Sequence, residues 1–209
     1  IKLRNIEVEK TQISSGEIKL QYKQKNKKYD LNVLLKTKKF LKFFGDKDIQ
    51  STGFVSNKGL LFNSFKLNNL KKPKKNIHVV YDRKKDKLKI DYKQKLTEKK
   101  YVGNLLDIPT LLLQFHFEKT KPKYSFDFVE GKKINNIKYK KIRDESLRIN
   151  GKNFLTELYE GEITSVKNSK HFIWLSKGPY RVAIKIRLKM KGGLMIDQNL
   201  KTTDLKLNN

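Results

Sequence analysis

The chain has 209 residues and a formal net charge of +28, from 49 lysines and arginines against 21 aspartates and glutamates. Twelve Phe, nine Tyr and one Trp exclude a disordered basic tail, because such tails lack large apolar side chains. No apolar run approaches the roughly 20 residues of a transmembrane helix, and the absence of cysteine excludes disulfides, zinc–thiolate sites and cysteine nucleophiles.

Apolar and polar residues alternate with a period of two along most of the chain. The pattern is visible in the segments 18–22, 29–35, 77–81, 88–92, 124–128 and 180–190. One apolar face per strand is typical of an antiparallel sheet with one solvated side. Short turn segments separate the runs and predict about ten to twelve strands; they lie at 25–27, 83–86, 130–132 and 150–152.

One segment, Leu105–Phe117, breaks this alternation with apolar residues around most of a helical circumference. Asp107 can cap this helix, and Pro109 would lie in its first turn. A helix this apolar is expected to be buried on the concave face of the sheet. A weaker helical pattern runs from Thr37 to Gly45, where a strand extension is the alternative.

These elements predict one α+β domain, mostly β, over residues 1–209. Its core is a single strongly curved antiparallel sheet, a half-barrel, wrapped over one or two helices. No Pro-, Gly- or Ser-rich linker and no repeat of fixed period divides the chain.

Lysine supplies most of the positive charge, and two basic clusters fall in predicted hairpin loops. They are candidates for a rim that binds lipid headgroups or other polyanions, and consist of Lys71, Lys72, Lys74, Lys75, Arg83, Lys84 and Lys85. The alternative is a solvated surface with a biased composition. In either case the protein is expected to attract polyanions non-specifically and with a steep salt dependence.

Catalytic chemistry is not indicated. His78, His116 and His171 lie on separate predicted elements without carboxylates at metal-ligand spacing. No nucleophile elbow, phosphate-binding glycine loop or zinc-protease motif is present. We therefore expect no catalytic residue, no metal, no cofactor and no enzymatic activity. The carboxylates most suited to acid–base work are instead predicted to form cross-strand ion pairs; they are Asp144, Glu145, Glu157, Glu160 and Glu162.

Three stretches together resemble the exported bacterial domain-of-unknown-function family 3108. They are Ser51-Thr52-Gly53 with Gly59-Leu60, the run Leu106 to Leu112, and Trp174-Leu175 followed by Pro179-Tyr180-Arg181-Val182, Gly192-Gly193 and Leu200. The resemblance implies export to the periplasm after removal of a signal peptide, with which a chain beginning at Ile1 is consistent. It also implies a curved sheet over a helix, similar to the lipoprotein carriers LolA and LolB. It implies no catalytic residues.

The leading hypothesis is a periplasmic, non-enzymatic protein that binds or carries a hydrophobic or anionic envelope component, a lipid or a lipoprotein. A half-barrel of this kind would offer an apolar groove. The candidate groove residues, for which plain core packing is the alternative, are Phe43, Phe44, Phe115, Trp174 and Tyr180. Two other functions stay open: an envelope assembly or scaffold protein that acts through protein contacts at a sheet edge, and a basic nucleic-acid-binding protein.

Overall fold

The computed structural model of the protein describes residues 6–9, 16–37, 45–166, 170–178, 181–189 and 195–203. Within these ranges it contains fifteen β-strands, one α-helix and a short 3-10 turn at Pro73–Lys75. The helix is α1 (Ile108–Phe117). The strands are β1 (Ile6–Glu9), β2 (Gly16–Lys25), β3 (Lys28–Thr37), β4 (Lys47–Ser56), β5 (Gly59–Asn69), β6 (Ile77–Asp82), β7 (Lys87–Tyr92), β8 (Lys95–Lys100), β9 (Leu105–Asp107), β10 (Lys123–Glu130), β11 (Lys133–Ile149), β12 (Lys152–Ile163), β13 (Lys170–Ser176), β14 (Ala183–Lys189) and β15 (Met195–Thr203).

All fifteen described strands belong to one sheet, in which nearly every strand pairs with its neighbours in the chain. The order runs from β8 back to β1, crosses from β1 to β15, and continues from β15 back to β9. The pairing of β9 with β10, which α1 connects, is parallel. The other described pairings are antiparallel, as the one-sided alternation predicted.

The two ends of the sheet, β8 and β9, follow one another in the chain. If the sheet were flat, fifteen strands about 4.8 Å apart would place its ends about 67 Å from each other. The chain from Lys100 to Leu105 can span at most about 18 Å. The sheet must therefore curl until its ends nearly meet, and the predicted half-barrel built from a curved antiparallel sheet is confirmed.

The strand number exceeds the predicted range. Strand β8 has no apolar face, since all six of its residues are exposed, and β9 is only three residues long. Alternation of polarity detects strands that cover a core on one side. It therefore misses an exposed edge strand and a strand too short to complete a period.

The apolar segment Leu105–Phe117 is helical only from Ile108 onward, directly after the predicted capping residue. Leu105, Leu106 and Asp107 pair with β10 as β9, and the helix starts at Ile108. Asp107 is the capping residue and a proline occupies the first turn, as expected. Residues 38–44, which contain most of the second predicted helix, lie outside the described residues. No helix within the described ranges is long and apolar enough to cross a membrane.

The interior of the curled sheet is filled by side chains in three clusters. The first lies between β2, β3 and β14 and includes Leu113 of α1. The second surrounds Phe115 of α1 with residues of β10 to β14. The third packs β5, β6 and β7 against β9 and β10. Helix α1 thus joins two of the clusters, and the third brings the two ends of the sheet together.

Candidate functional site

A fully buried carboxyl group, that of Asp107, lies where the ends of the sheet meet. Its Oδ1 accepts hydrogen bonds from the backbone N and the Oγ1 of Thr110, both at 2.8 Å. The Asp107 N in turn donates to Thr110 Oγ1 at 2.9 Å, which completes a capping box. Its Oδ2 accepts a hydrogen bond from Ser51 Oγ of β4. One side chain therefore caps α1 and ties it to β4 across the interior.

Tyr29 and Gly53 complete this contact. The Tyr29 hydroxyl lies 3.2 Å from Ser51 Oγ. A Cβ at Gly53 would come within 2.1 Å of the Leu61 carbonyl oxygen and 2.8 Å of the Tyr29 ring. Only glycine fits beneath this ring, so the Ser-x-Gly sequence supplies both the hydroxyl donor and the space for its neighbour.

Gln114 makes a second contact between α1 and the same region of the sheet. Its Oε1 accepts from Leu60 N at 2.9 Å, and its Nε2 donates to Lys58 O at 3.0 Å. Gly59 has a φ of +101°, and a Cβ there would lie 2.3 Å from Gln114 Nε2. The Gln114 amide pairs with backbone groups of the β4–β5 turn. It therefore holds the helix against the sheet and is not directed at a ligand.

Burial changes the protonation of the polar centre formed by Asp107, Ser51 and Tyr29. Desolvation raises the pKa of Asp107 to about 6, although the hydrogen bonds from Ser51 and Thr110 favour the ionised form. Burial, and then the nearby Asp107 charge, raise the pKa of Tyr29. The centre therefore holds a carboxyl group that changes charge in mildly acidic solution.

A second buried polar cluster surrounds Arg181. Its guanidinium donates to Glu157 Oε2 at 2.7 Å, to the Tyr124 hydroxyl at 2.7 Å and to the Tyr159 hydroxyl at 3.2 Å. Lys141 Nζ lies 2.8 Å from the other Glu157 oxygen. Burial opposes ionisation of Glu157, but the hydrogen bonds from these two cations lower its pKa. The cluster joins β10, β11 and β12 to the segment before β14.

The predicted ion pairs are present, but only some of them cross between strands. Lys170 of β13 binds Glu160 of β12, and Lys177 binds Asp144 of β11. Lys141 binds Asp144, and Arg143 binds Glu145, within β11 itself. Four of the five carboxylates singled out in the sequence are thus engaged by one of these cations or by Arg181. The fifth, Glu162, lies 3.8 Å from Lys170.

Of the five candidate groove residues the structure describes two, Phe115 and Trp174, and these two do not share a surface. Phe115 is fully buried, with the rings of Tyr124 and Phe126 edge-on at 5.2 and 5.3 Å. Trp174 lies on the opposite face of β13 from Ile173 and Leu175, which pack with Phe115 in the second cluster. There Lys185 Nζ lies 5.2 Å from its ring centroid. The other candidates, Phe43, Phe44 and Tyr180, lie outside the described residues.

The two basic clusters also lie apart. Lys71, Lys72, Lys74 and Lys75 are exposed before β6, and the second cluster follows β6. Six residues of strand separate them by about 20 Å.

Arg83, of the second cluster, turns inward. Its guanidinium donates to Phe62 O at 2.9 Å and lies 4.5 Å from the Tyr81 ring centroid. Lys84 and Lys85 remain exposed. The two loops thus do not form one continuous rim.

Another basic surface, which the sequence analysis did not single out, lies on the outer face of β10 and β11. Lys123 is paired directly across from Lys140, and Lys138 lies two residues along the same face. They line a groove of about 460 Å³ together with Ser125, Glu160 and Glu162. In the register of β11 and β12, Glu162 lies across from Lys138 and Glu160 across from Lys140, and both carboxylates contact Lys170 of β13. Among the described residues none forms an ion pair with the three lysines of this lysine groove, which we define as Lys123, Lys138 and Lys140.

The sequence contained the signal for this groove. The turn at 130–132 sets the register of the β10–β11 hairpin, so that Glu130 faces Lys133 and Lys123 faces Lys140. Counting back from the turn would have placed the lysines together. The turn alone predicts only the hairpin, and the register counted from the turn is what brings the lysines together.

The fold and the sites define a curled, mostly β-sheet protein whose interior is filled by its own helix and aromatic rings. The chain belongs to the family described as "Protein of unknown function (DUF3108)", whose model matches residues 4–199. The resemblance stated from the three motifs is therefore confirmed. No curated protein matches the sequence.

A solved structure supports the fold. The chain is similar to a β-barrel-like protein of the domain of unknown function DUF1849 from Brucella abortus, with a TM-score of 0.60 and 10% identity. The match covers 98% of this chain and 99% of the other.

Four of the residues that carry the family resemblance lie in the two buried polar clusters. Ser51, Gly53 and Asp107 form the first, and Arg181 is the centre of the second. Their contacts are with other parts of this chain, so their evident role is to close and fix the sheet.

The Asp107→Asn substitution tests the buried carboxyl. Because burial raises its pKa from 3.8 to about 6, the folded protein binds more protons than the unfolded chain between these values. The contribution of Asp107 to stability is therefore complete below about pH 4 and is lost as the pH rises through 6. Relative to the variant, the wild-type free energy of unfolding should fall by about 2–3 kcal/mol between pH 4 and pH 7.

Urea denaturation at both pH values measures this difference. The exposed Asp48→Asn variant is the control and should follow the wild type at both. A constant difference between wild type and Asp107→Asn across this range would contradict the assignment.

The Glu157→Gln substitution tests the Arg181 cluster. It leaves the buried guanidinium without its carboxylate partner, which typically destabilises by about 3–5 kcal/mol. Glu162→Gln, on the same strand with a side chain 68% exposed, should change stability by less than about 1 kcal/mol. Urea unfolding at pH 7 compares the two variants, and equal effects would show that the buried pair does not hold the fold together.

Proposed function

We propose that this protein is a non-enzymatic, periplasmic binding protein for an anionic component of the cell envelope, and that the lysine groove binds its headgroup. The observation that carries the proposal is the convergence of three lysines that have no ion-pair partner among the described residues. Elsewhere on the same hairpin, Lys141 is held by two carboxylates. Glu160 and Glu162 contact Lys170, so positive charge remains in excess at the lysine groove, and an external anion would offset it.

The spacing of the lysines suits a phosphate group. Side chains directly opposite in adjacent antiparallel strands have Cβ atoms about 5 Å apart. Two residues along one strand are separated by about 7 Å. Three flexible ammonium groups at these distances can converge on one anion.

The filled interior favours binding at this outer surface. Phe115 and its aromatic neighbours occupy the space in which an acyl chain would lie in a hollow carrier. We therefore place the headgroup, and not an enclosed hydrocarbon chain, at the centre of recognition. The proposed ligand is an anionic lipid.

Substitution of the lysine groove tests this proposal. A Lys123→Gln/Lys138→Gln/Lys140→Gln variant should bind vesicles of phosphatidylglycerol and phosphatidylcholine at least about 10-fold more weakly than wild type, because each lysine near an anionic surface contributes about 1 kcal/mol. Co-sedimentation at fixed salt measures the affinity. Vesicles of phosphatidylcholine alone should not bind either protein.

A matched triple variant distinguishes binding at a specific site from a general attraction by the positive charge of the protein. Lys71→Gln/Lys74→Gln/Lys75→Gln removes the same charge from the exposed loop before β6 and should weaken binding by less than about 3-fold. Equal losses in the two variants would reject a specific groove. Tighter binding of wild type to single-stranded DNA than to the vesicles, at the same salt, would favour the nucleic-acid alternative.

A further inference from the structure

The open edge of the sheet at β8 is a second interaction surface, separate from the lysine groove. Strand β8 is the last strand at its end of the sheet and pairs only with β7 among the described strands. All six of its residues are exposed. Lys99 Nζ reaches Lys132 O in the β10–β11 turn, at the opposite end of that hairpin from Lys123 and Lys140.

The geometry of the β7–β8 turn determines which backbone groups face outward. The two turn residues, Lys93 and Gln94, have φ values of +55° and +61°. Such a two-residue turn is closed by a pair that exchanges both of its backbone hydrogen bonds, here Tyr92 and Lys95. From Lys95 onward, every second residue of β8 directs its backbone N–H and C=O groups at β7. The N–H and C=O groups directed at the open edge therefore belong to Leu96, Glu98 and Lys100.

The charge of this edge is unbalanced. Its lysines are Lys95, Lys99 and Lys100, and its one carboxylate, Glu98, already lies 3.6 Å from Lys87 and 3.4 Å from Lys89 of β7. Lys100 faces Lys87 directly across the strands, an arrangement of like charges that destabilises a sheet. An acidic strand beside β8 would offset this repulsion.

A second copy of this chain is a poor occupant for the edge. Two β8 strands side by side would bring their lysines together, and charged edges of this kind oppose self-association. Leu96, which is 66% exposed, offers one apolar contact between the lysines. The edge thus combines open hydrogen-bonding groups, positive charge and one apolar side chain.

We propose that β8 binds an extended acidic segment of a partner protein, which adds to the sheet as a further strand. Backbone groups of Leu96, Glu98 and Lys100 would pair with the segment, as in other cases of strand addition. An apolar side chain of the segment would pack on Leu96, and its carboxylates, on the other face of the strand, would lie beside Lys95 and Lys99. This surface does not depend on the proposed lipid ligand.

A matched pair of variants at Glu98 tests the proposal. Proline removes the outward N–H of Glu98 and is tolerated on an edge strand where that group faces solvent. Alanine removes the same carboxylate but keeps the N–H. The Glu98→Ala variant should bind a fluorescent hexapeptide of alternating glutamate and valine at least as tightly as wild type, and Glu98→Pro should bind it at least about 10-fold more weakly.

Fluorescence anisotropy at physiological salt measures both affinities, and thermal unfolding checks that both variants fold. A second probe keeps the test decisive if Glu98→Pro is unstable: the same peptide with alternate backbone nitrogens methylated should lose binding to wild type. Equal binding of the two variants, or of the methylated and unmethylated peptides, would overturn the proposal. The lysines of β8 would then serve only to protect a bare edge.

Discussion

The buried hydrogen bond between Ser51 and Asp107 is the contact on which the shape of this protein depends. A sheet of fifteen described strands has two ends, and a connection of only four residues joins them. Within the described residues these ends do not share a hydrogen-bonded ladder, so side chains must hold them together. Asp107 caps the helix and accepts from β4, while the third cluster packs β5 to β7 over β9 and β10.

This closure has a consequence for function. The helix carries Leu111, Leu113 and Phe115 into the interior, where the aromatic rings of β10 to β12 surround the last of them. An interior packed in this way directs attention to the outside of the sheet. There, among the described residues, a groove on β10 and β11 holds three lysines without ion pairs, and β8 pairs with one strand only.

Much of the fold could be predicted from the sequence, because one-sided alternation and turn residues report directly on strands that cover a core. The capping role of Asp107 was also predictable from the proline that follows it. The candidate functional sites were harder to predict from the sequence. No feature of the sequence shows whether the Trp174 side chain lies on the inner or the outer face of the sheet. Arg83 turns inward only because Phe62 O and the Tyr81 ring lie within its reach. The lysine groove depends on a hairpin register that had to be counted from its turn.

A titration followed by NMR tests most directly whether the half-barrel recognises its ligand at the outer face. A soluble anionic lipid, dihexanoyl phosphatidylglycerol, would be added to isotopically labelled protein below its micelle concentration. Binding at the lysine groove should shift the amide signals of β10 and β11 around Lys123 and Lys138, while the ring signals of the fully buried Phe115 and Phe62 stay unchanged. Shifts of these interior rings, with the groove unaffected, would contradict recognition at the outer face and indicate a ligand that enters the barrel.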